Sequence, residues 1–470
     1  MTKSSGTILD GGSRPEGRGA GTEPRTSALS KRVLDEYAAV RETLPAGVVS
    51  PQRRQEAIET LIARGLPTTR DENWRYTNLR PLERARFAPI AAGSAAIALP
   101  SGSDLPSRLE GFARYAFVDG IFVPELSTPV DAAVTIGSRL QGTRRAAAGP
   151  ASVTHLPQAL PALSSLPEAR LALLSEAFAT DGAAIHVSDT AGAPRVELVF
   201  IATAGADAGA SYPRVQVSLD PATRLTLVER HLSAGANANF VNSSVKVDIG
   251  RGAHLTHYRL QQAGLRATWL DTLAAAVASD ARYDLLTVST GALSARSTTY
   301  AQMSGAGAEL TLSAAALGDR QQVQDNFALV EHIAPRARTE QTFRGIASGR
   351  ARVAFNGKIA VREAAAGTDS RQSLRGLLAG PEAEIDVRPQ LEIYTDDVRC
   401  SHGATAGKLD DNMLFYLLSR GLSTEVAQRL LKWAFLEDVV SKIALPELRR
   451  QIEHTLAGQM ADAASLKELL

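Results

Sequence analysis

Ala308-Glu309-Leu310-Thr311-Leu312 is the shortest copy of a pattern that returns through the middle of this 470-residue chain. The same start, a small residue followed by polar and apolar side chains in alternation, recurs as Ala222-Thr-Arg-Leu-Thr-Leu and Ala253-His-Leu-Thr-His-Tyr. It returns again as Ala281-Arg-Tyr-Asp-Leu-Leu and Ala337-Arg-Thr-Glu-Gln-Thr. From Ala222 onward the starts are 31, 28, 27 and 29 residues apart, and Ala351 and Ala383 continue the series less regularly. Alternation rich in β-branched residues argues strand, and short runs such as Val196–Phe200, Val215–Val217 and Val245–Val247 carry it too. A period near 28 residues, with two or three short strands in each, fits a β-helix coil. Such a coil buries its inward side chains only by stacking on its neighbours, so small Ala and Thr are expected at inward corners. A β-sandwich, whose turns recur every roughly 8–12 residues, is the competing architecture.

Helical patterns flank the repeat. Val33, Tyr37, Val40 and Leu44 recur at three- and four-residue spacing before Pro45. Ser50-Pro51 reads as an N-cap and first helical position leading to Ile58, Leu61 and Ile62, and Gly65-Leu66-Pro67 ends that helix. Beyond Asp410 the apolar spacing is helical again: Met413, Leu414, Leu417 and Leu418 share a face. Ser423 then caps a stripe of Val426, Leu430, Trp433, Leu436, Val440 and Ile443, and a last helix is expected over 448–470. The expected plan is a disordered tail at 1–29, a helical region at 30–95, a linker and β core at 96–409, and a helical domain at 410–470.

Composition narrows the function. Lys and Arg total 51 against 50 Asp and Glu, leaving no basic field for a nucleic-acid backbone. No apolar run is long enough for a signal peptide or a transmembrane helix, so a cytoplasmic protein without membrane association is expected. Cys400 is the only cysteine, which excludes an internal disulfide and a four-thiolate site built by this chain alone.

The densest chemical signal is Asp397-Val398-Arg399-Cys400-Ser401-His402-Gly403-Ala404-Thr405. On an extended strand Cys400 and His402 project to the same side. Thiolate and imidazole together make half a site for iron, zinc or copper. The plain alternative is a buried small thiol beside a hydrogen-bonded histidine. Gly403-Ala-Thr-Ala-Gly407-Lys408-Leu409 imitates a phosphate loop but has one residue too few between its glycines. It also lacks the hydroxyl that would hold magnesium, so no ATP site is expected. His254 and His257, three apart on a strand, are expected on opposite faces, one inward and one solvated.

The run from Asp397 to Thr405, continued by Leu414-Phe415-Tyr416-Leu-Leu-Ser-Arg420-Gly421 and 427–435, resembles the signature of the SufB/SufD family. Asn73-Trp74-Arg75-Tyr76-Thr77 resembles the N-terminal hallmark of its SufD branch, and the single cysteine favours that branch over SufB. Tyr115–Gly120 and Arg352–Ile359 also look like family positions. The resemblance implies a mainly β fold, a right-handed parallel β-helix between N- and C-terminal helical regions. It implies a non-catalytic scaffold subunit of an iron–sulfur cluster assembly complex, paired with a SufB-like chain and docking a SufC-like ABC-type ATPase. Cys400 and His402 fall on the pair implicated in nascent cluster assembly at the subunit interface, with the histidine an iron ligand facing a partner cysteine. Phe415, Tyr416, Arg420, Leu430, Trp433 and Phe435 fall in the region that carries the ATPase contact. A flavin in the complex, and a homodimer when the partner is missing, are left open. The competing function is a β-helix enzyme or binding protein acting on an extended polymer. That would need converging carboxylates, whereas the adjacent Asp396 and Asp397 would point opposite ways on a strand.

Overall fold

The computed structural model describes residues 27–90, 100, 105–128, 134–136, 169–188, 190, 192–203, 210–235 and 238–460. The tail expected at 1–29 lies outside them up to residue 26, as do residues 91–99 and 101–104, around the start of the expected linker.

Backbone polar groups decide the architecture. Strands of about ten residues alternate between two sheets, and each pairs in parallel with the strand two places later in the chain. Parallel pairing between successive coils excludes the sandwich and makes the core a parallel β-solenoid with two strands per coil. Sheet one runs from Ala113–Val118 through Arg195–Ala202, Arg224–Ser233 and His254–Gln262 to Thr368–Leu378 and Val398–Gly407. Sheet two faces it and ends on Arg352–Val361 and Glu384–Ile393. The strand signal thus begins well before Val196, at Ala113.

Inward side chains from both sheets fill a thin lumen with Val, Leu, Ala and a few aromatics, among them Leu227, Leu255, Val245, Leu273 and Phe343 against Phe355. The repeat read from the sequence belongs to one corner of sheet one. Strand pairing aligns Thr223, Ala253, Ala281, Ala308, Ala337 and Thr368 in a buried column. Ala222 is therefore one residue out of register. Ala351 and Ala383 do not continue the series, because they precede strands of sheet two.

A second column explains why each corner turns. Immediately before the small residues stand Ala222, Gly252, Asp280, Gly307, Arg336 and Gly367, all left-handed, with φ between 56° and 76°. Each of these N–H groups donates to a carbonyl in the next coil's corner, as Gly252 does to Ser279 and Arg336 to Ala366. The turns are thereby hydrogen-bonded from coil to coil as the strands are.

Among the described residues six α-helices lie outside the solenoid. Helices α1 (Ala28–Val40) and α2 (Pro51–Arg64) lie at the N-terminus, with α3 (Ala172–Phe178) packed against α2. Ser50 caps α2 by accepting the Arg53 N–H. The C-terminal helices are α4 (Asp411–Ser419), α5 (Thr424–Val440) and α6 (Pro446–Gln459). The last helix spans less than the 448–470 expected, and 461–470 lie outside the described residues. Leu436, Val439, Ile443, Leu448 and Ile452 cover outward residues of sheet one, such as Tyr258, Val288 and Ile346.

The exposed Ala222 holds a left-handed conformation that costs an L-residue about 1–2 kcal/mol. Ala222→Gly is expected to stabilise the chain by about 0.5–1 kcal/mol after the added freedom of the unfolded chain. A thermal midpoint that stays put or falls would contradict the corner geometry.

Candidate functional site

The solenoid's two ends are finished differently. At the first, short antiparallel strands, Ile121–Phe122 and Val134–Ile136, close the sheets. At the last, Glu384–Ile393 and Val398–Gly407 each pair on one side only among the described residues, and α5 and α6 lie along the flank instead of over the end. Val398–Gly407 carries Cys400 and His402. Its register sets Cys400 beside Ser370 and His402 beside Gln372 in the preceding coil. Val398 and Cys400 pack against the lumen residues, so the alternation that turns them inward turns His402 to the same side. With no further coil above among the described residues, Cys400 is half-buried and His402 exposed. Burial pushes the Cys400 thiol up, the Ser370 backbone N–H opposes this, and Asp369 adds to it. The two residues share one side of the strand, as the alternation read from the sequence expects, and the strand that carries them is the last of its sheet. The stretch from Gly403 to Gly407 is part of that strand and not a strand-to-helix loop. Among the described residues no three His, Cys, Asp or Glu side chains converge as metal ligands.

Residues 200–435 match the family model described as "SUF system FeS cluster assembly, SufBD core domain". That span runs from the solenoid's Arg195–Ala202 strand into α5. The iron–sulfur cluster assembly protein SufD of Escherichia coli is 30% identical over 86% of this chain and 91% of its own length. The chain is a SufD-type member of the SufB/SufD family. A SufBD-family protein of Synechocystis is 28% identical over 91% of this chain and 94% of its own length. One from Mycobacterium tuberculosis is 29% identical over 60% and 73% respectively. The chain accordingly has a role in iron–sulfur cluster assembly by the SUF system.

In this SufD-type chain the helix after the free strand is apolar yet has no buried residue. On α4, Met413 is 60% exposed, Phe415 72% and Tyr416 55%, and Arg420 lies over the Tyr416 ring at 5.2 Å. Met413, Tyr416, Leu417, Leu430, Leu431 and Ala434 line a groove of about 460 Å³ between α4 and α5. Leu430 is half-buried there, whereas Trp433 and Phe435 are half-buried against the solenoid flank. The six residues therefore divide between an open groove and the helix–sheet contact.

The Asn73–Thr77 hallmark is a staple across sheet two. Trp74 stacks under the Arg296 guanidinium at 3.9 Å, and Arg296 pairs with buried Asp325, which also accepts from Thr77. Asn73 accepts from Asn356 at 3.0 Å, and Tyr76 lies under Arg352. One five-residue motif thus reaches three successive strands.

Composition and pattern missed a charged cluster inside the lumen. Arg259 of sheet one bonds Glu229 (2.7 Å) and reaches across to Asp271 of sheet two (2.6 Å). Burial opposes ionisation of Glu229, but Arg259, with His231 and His257, holds its carboxyl well below the usual range. His257 is fully buried and His254 pairs with Asp284 at the rim, as the alternation requires. The only available signal was parity, since Glu229 and Arg259 share the inward alternation of Leu227 and Leu255.

Arg296→Leu leaves Asp325 buried without its cation, a change worth about 3–5 kcal/mol. The variant is expected to unfold at lower denaturant and to be cleaved faster between α2 and the solenoid. An unchanged cleavage pattern would deny the staple.

Proposed function

We propose that this chain is a non-catalytic scaffold subunit whose open solenoid end pairs with a SufB-like subunit and whose α4–α5 groove docks a SufC-like ATPase. The observation that supports this best is the free edge itself. Solenoids ordinarily close their termini with polar capping repeats. Exposed edge strands are elsewhere blunted, because unpaired N–H and C=O groups recruit other strands. Here the last coil keeps its edge open and sets a thiol and an imidazole on it.

The nascent cluster is cargo in this reading. Cys400 and His402 supply at most two ligands, so a complete coordination shell takes its remaining ligands from the facing subunit. His402 is the better placed, being exposed and carrying an imidazole nitrogen donor. Cys400 must first lose the proton that burial favours. The ATPase is assigned to the other apolar surface, where Phe415 and Tyr416 are large, exposed and beside a groove, the usual anatomy of a docking anchor. Nucleotide-driven movement of that partner would reach the shared end through α4, which follows the free strand directly.

Co-expression with the host's SufB-like and SufC-like proteins, purified through a tag on this chain, separates the two surfaces. His402→Ala is expected to leave the complex intact and to lower the iron and sulfide it acquires. Unimpaired cluster formation in an intact complex would return His402 to a structural role. Phe415→Asp is expected to lose the ATPase at least tenfold while retaining the SufB-like chain. Equal recovery of the ATPase would move its docking surface elsewhere.

A further inference from the structure

We propose that Gln372, held by Gln341, positions the His402 imidazole by accepting its ring N–H, and that the Ser370 hydroxyl positions Cys400 by donating to its sulfur. The proposal rests on the reading of Cys400 and His402 as the site for cargo.

One inward column of sheet one reads Leu285, Leu312, Gln341, Gln372, His402 in paired register. Below Leu285 the same register continues to His257 and Leu227, so the column holds one buried histidine deep in the stack and is polar throughout its last three coils. Gln341 is fully buried and Gln372 is 4% exposed. Nε2 of Gln372 donates to Oε1 of Gln341 at 3.0 Å. Oε1 of Gln372 is left without a partner, as is Nε2 of Gln341. An unused buried polar atom is destabilising, and leucine at either position would avoid it.

The opposite sheet is cut back to admit this pair. A Cβ on Gly357 would stand 2.8 Å from Gln372 Nε2 and 3.2 Å from Gln341 Oε1. The neighbouring column repeats the arrangement. Ser370 is fully buried, its Oγ has no partner, and its register partner is Cys400. Both residues of the site therefore stand one strand spacing, about 4.8 Å, from a buried side chain with an unsatisfied polar atom.

The chemistry fits a second layer beneath metal ligands. A histidine that binds metal through one nitrogen ordinarily donates its other N–H to a carbonyl or carboxylate, which fixes tautomer and ring orientation. The amide oxygen of Gln372 provides such an acceptor without adding charge. The Ser370 hydroxyl, buried and without another partner, provides a hydrogen-bond donor toward the Cys400 sulfur beside it.

The test compares wild type with Gln372→Leu, which removes the acceptor, and Gln372→Glu, which keeps it. ¹⁵N-histidine NMR of the full-length chain reads the imidazole directly, with His402 assigned through His402→Ala. A ring N–H resonance of His402, protected from solvent exchange, is expected in wild type and in Gln372→Glu and absent in Gln372→Leu. Its absence in wild type, or its persistence in Gln372→Leu, overturns the proposal. In the co-expressed complex, iron retained against a chelator is expected to fall about tenfold in Gln372→Leu and to recover in Gln372→Glu. Equal losses in both variants also overturn it. Unimpaired cluster formation in His402→Ala would instead remove the underlying site, an outcome separate from the NMR result.

Discussion

Each coil of this protein acquires its core from the coil above it. The inward residues of one strand pair are covered only by those of the next, and the corner N–H groups, like the strand N–H groups, find their acceptors there. A stack built this way has no natural end. The first coil is finished by short antiparallel strands, whereas the last keeps its hydrogen-bonding edge and its half-covered lumen. The placement of Cys400 and His402 follows from that constraint, because any inward residue of the final strand is held in register yet faces no further coil.

The same constraint explains the rest of the molecule. A stack of thin coils is strongest between neighbours and gains from elements that cross several of them. The Asn73–Thr77 staple does this on sheet two, and α5 and α6 do it on sheet one. Arg259 ties the two sheets through the lumen by pairing with carboxylates from both. These devices tie neighbouring coils together along the stack. Helix α4 stands apart, apolar and with no buried residue.

Much of this was legible in the chain. The period gave a solenoid, the caps at Ser50 and Ser423 began helices as expected, and strand parity set Cys400 and His402 on one side. The series nevertheless drifted at Ala351 and Ala383, because small residues also open strands at the second corner and one-dimensional spacing does not distinguish the corners. The earliest strands escaped notice because they are short and separated from the repeat by the 137–168 segment. The lumen charges were hidden for another reason: Glu229 or Arg259 on a strand reads as solvated until its partners, 30 and 12 residues away, are known. Gln341 and Gln372 were equally silent, since only coil register shows that they lie beneath His402.

The most direct measurement is backbone hydrogen exchange over Val398–Gly407 in the isolated chain and in its complex with the SufB-like subunit. Amides of this strand that face away from Thr368–Leu378 should exchange rapidly in the free chain. They should become protected when the partner binds, with smaller changes over the closed first coil. Protection confined to the first coil or to the flanks, with 398–407 exchanging alike in both states, would contradict the open end as the place where this chain meets its partner.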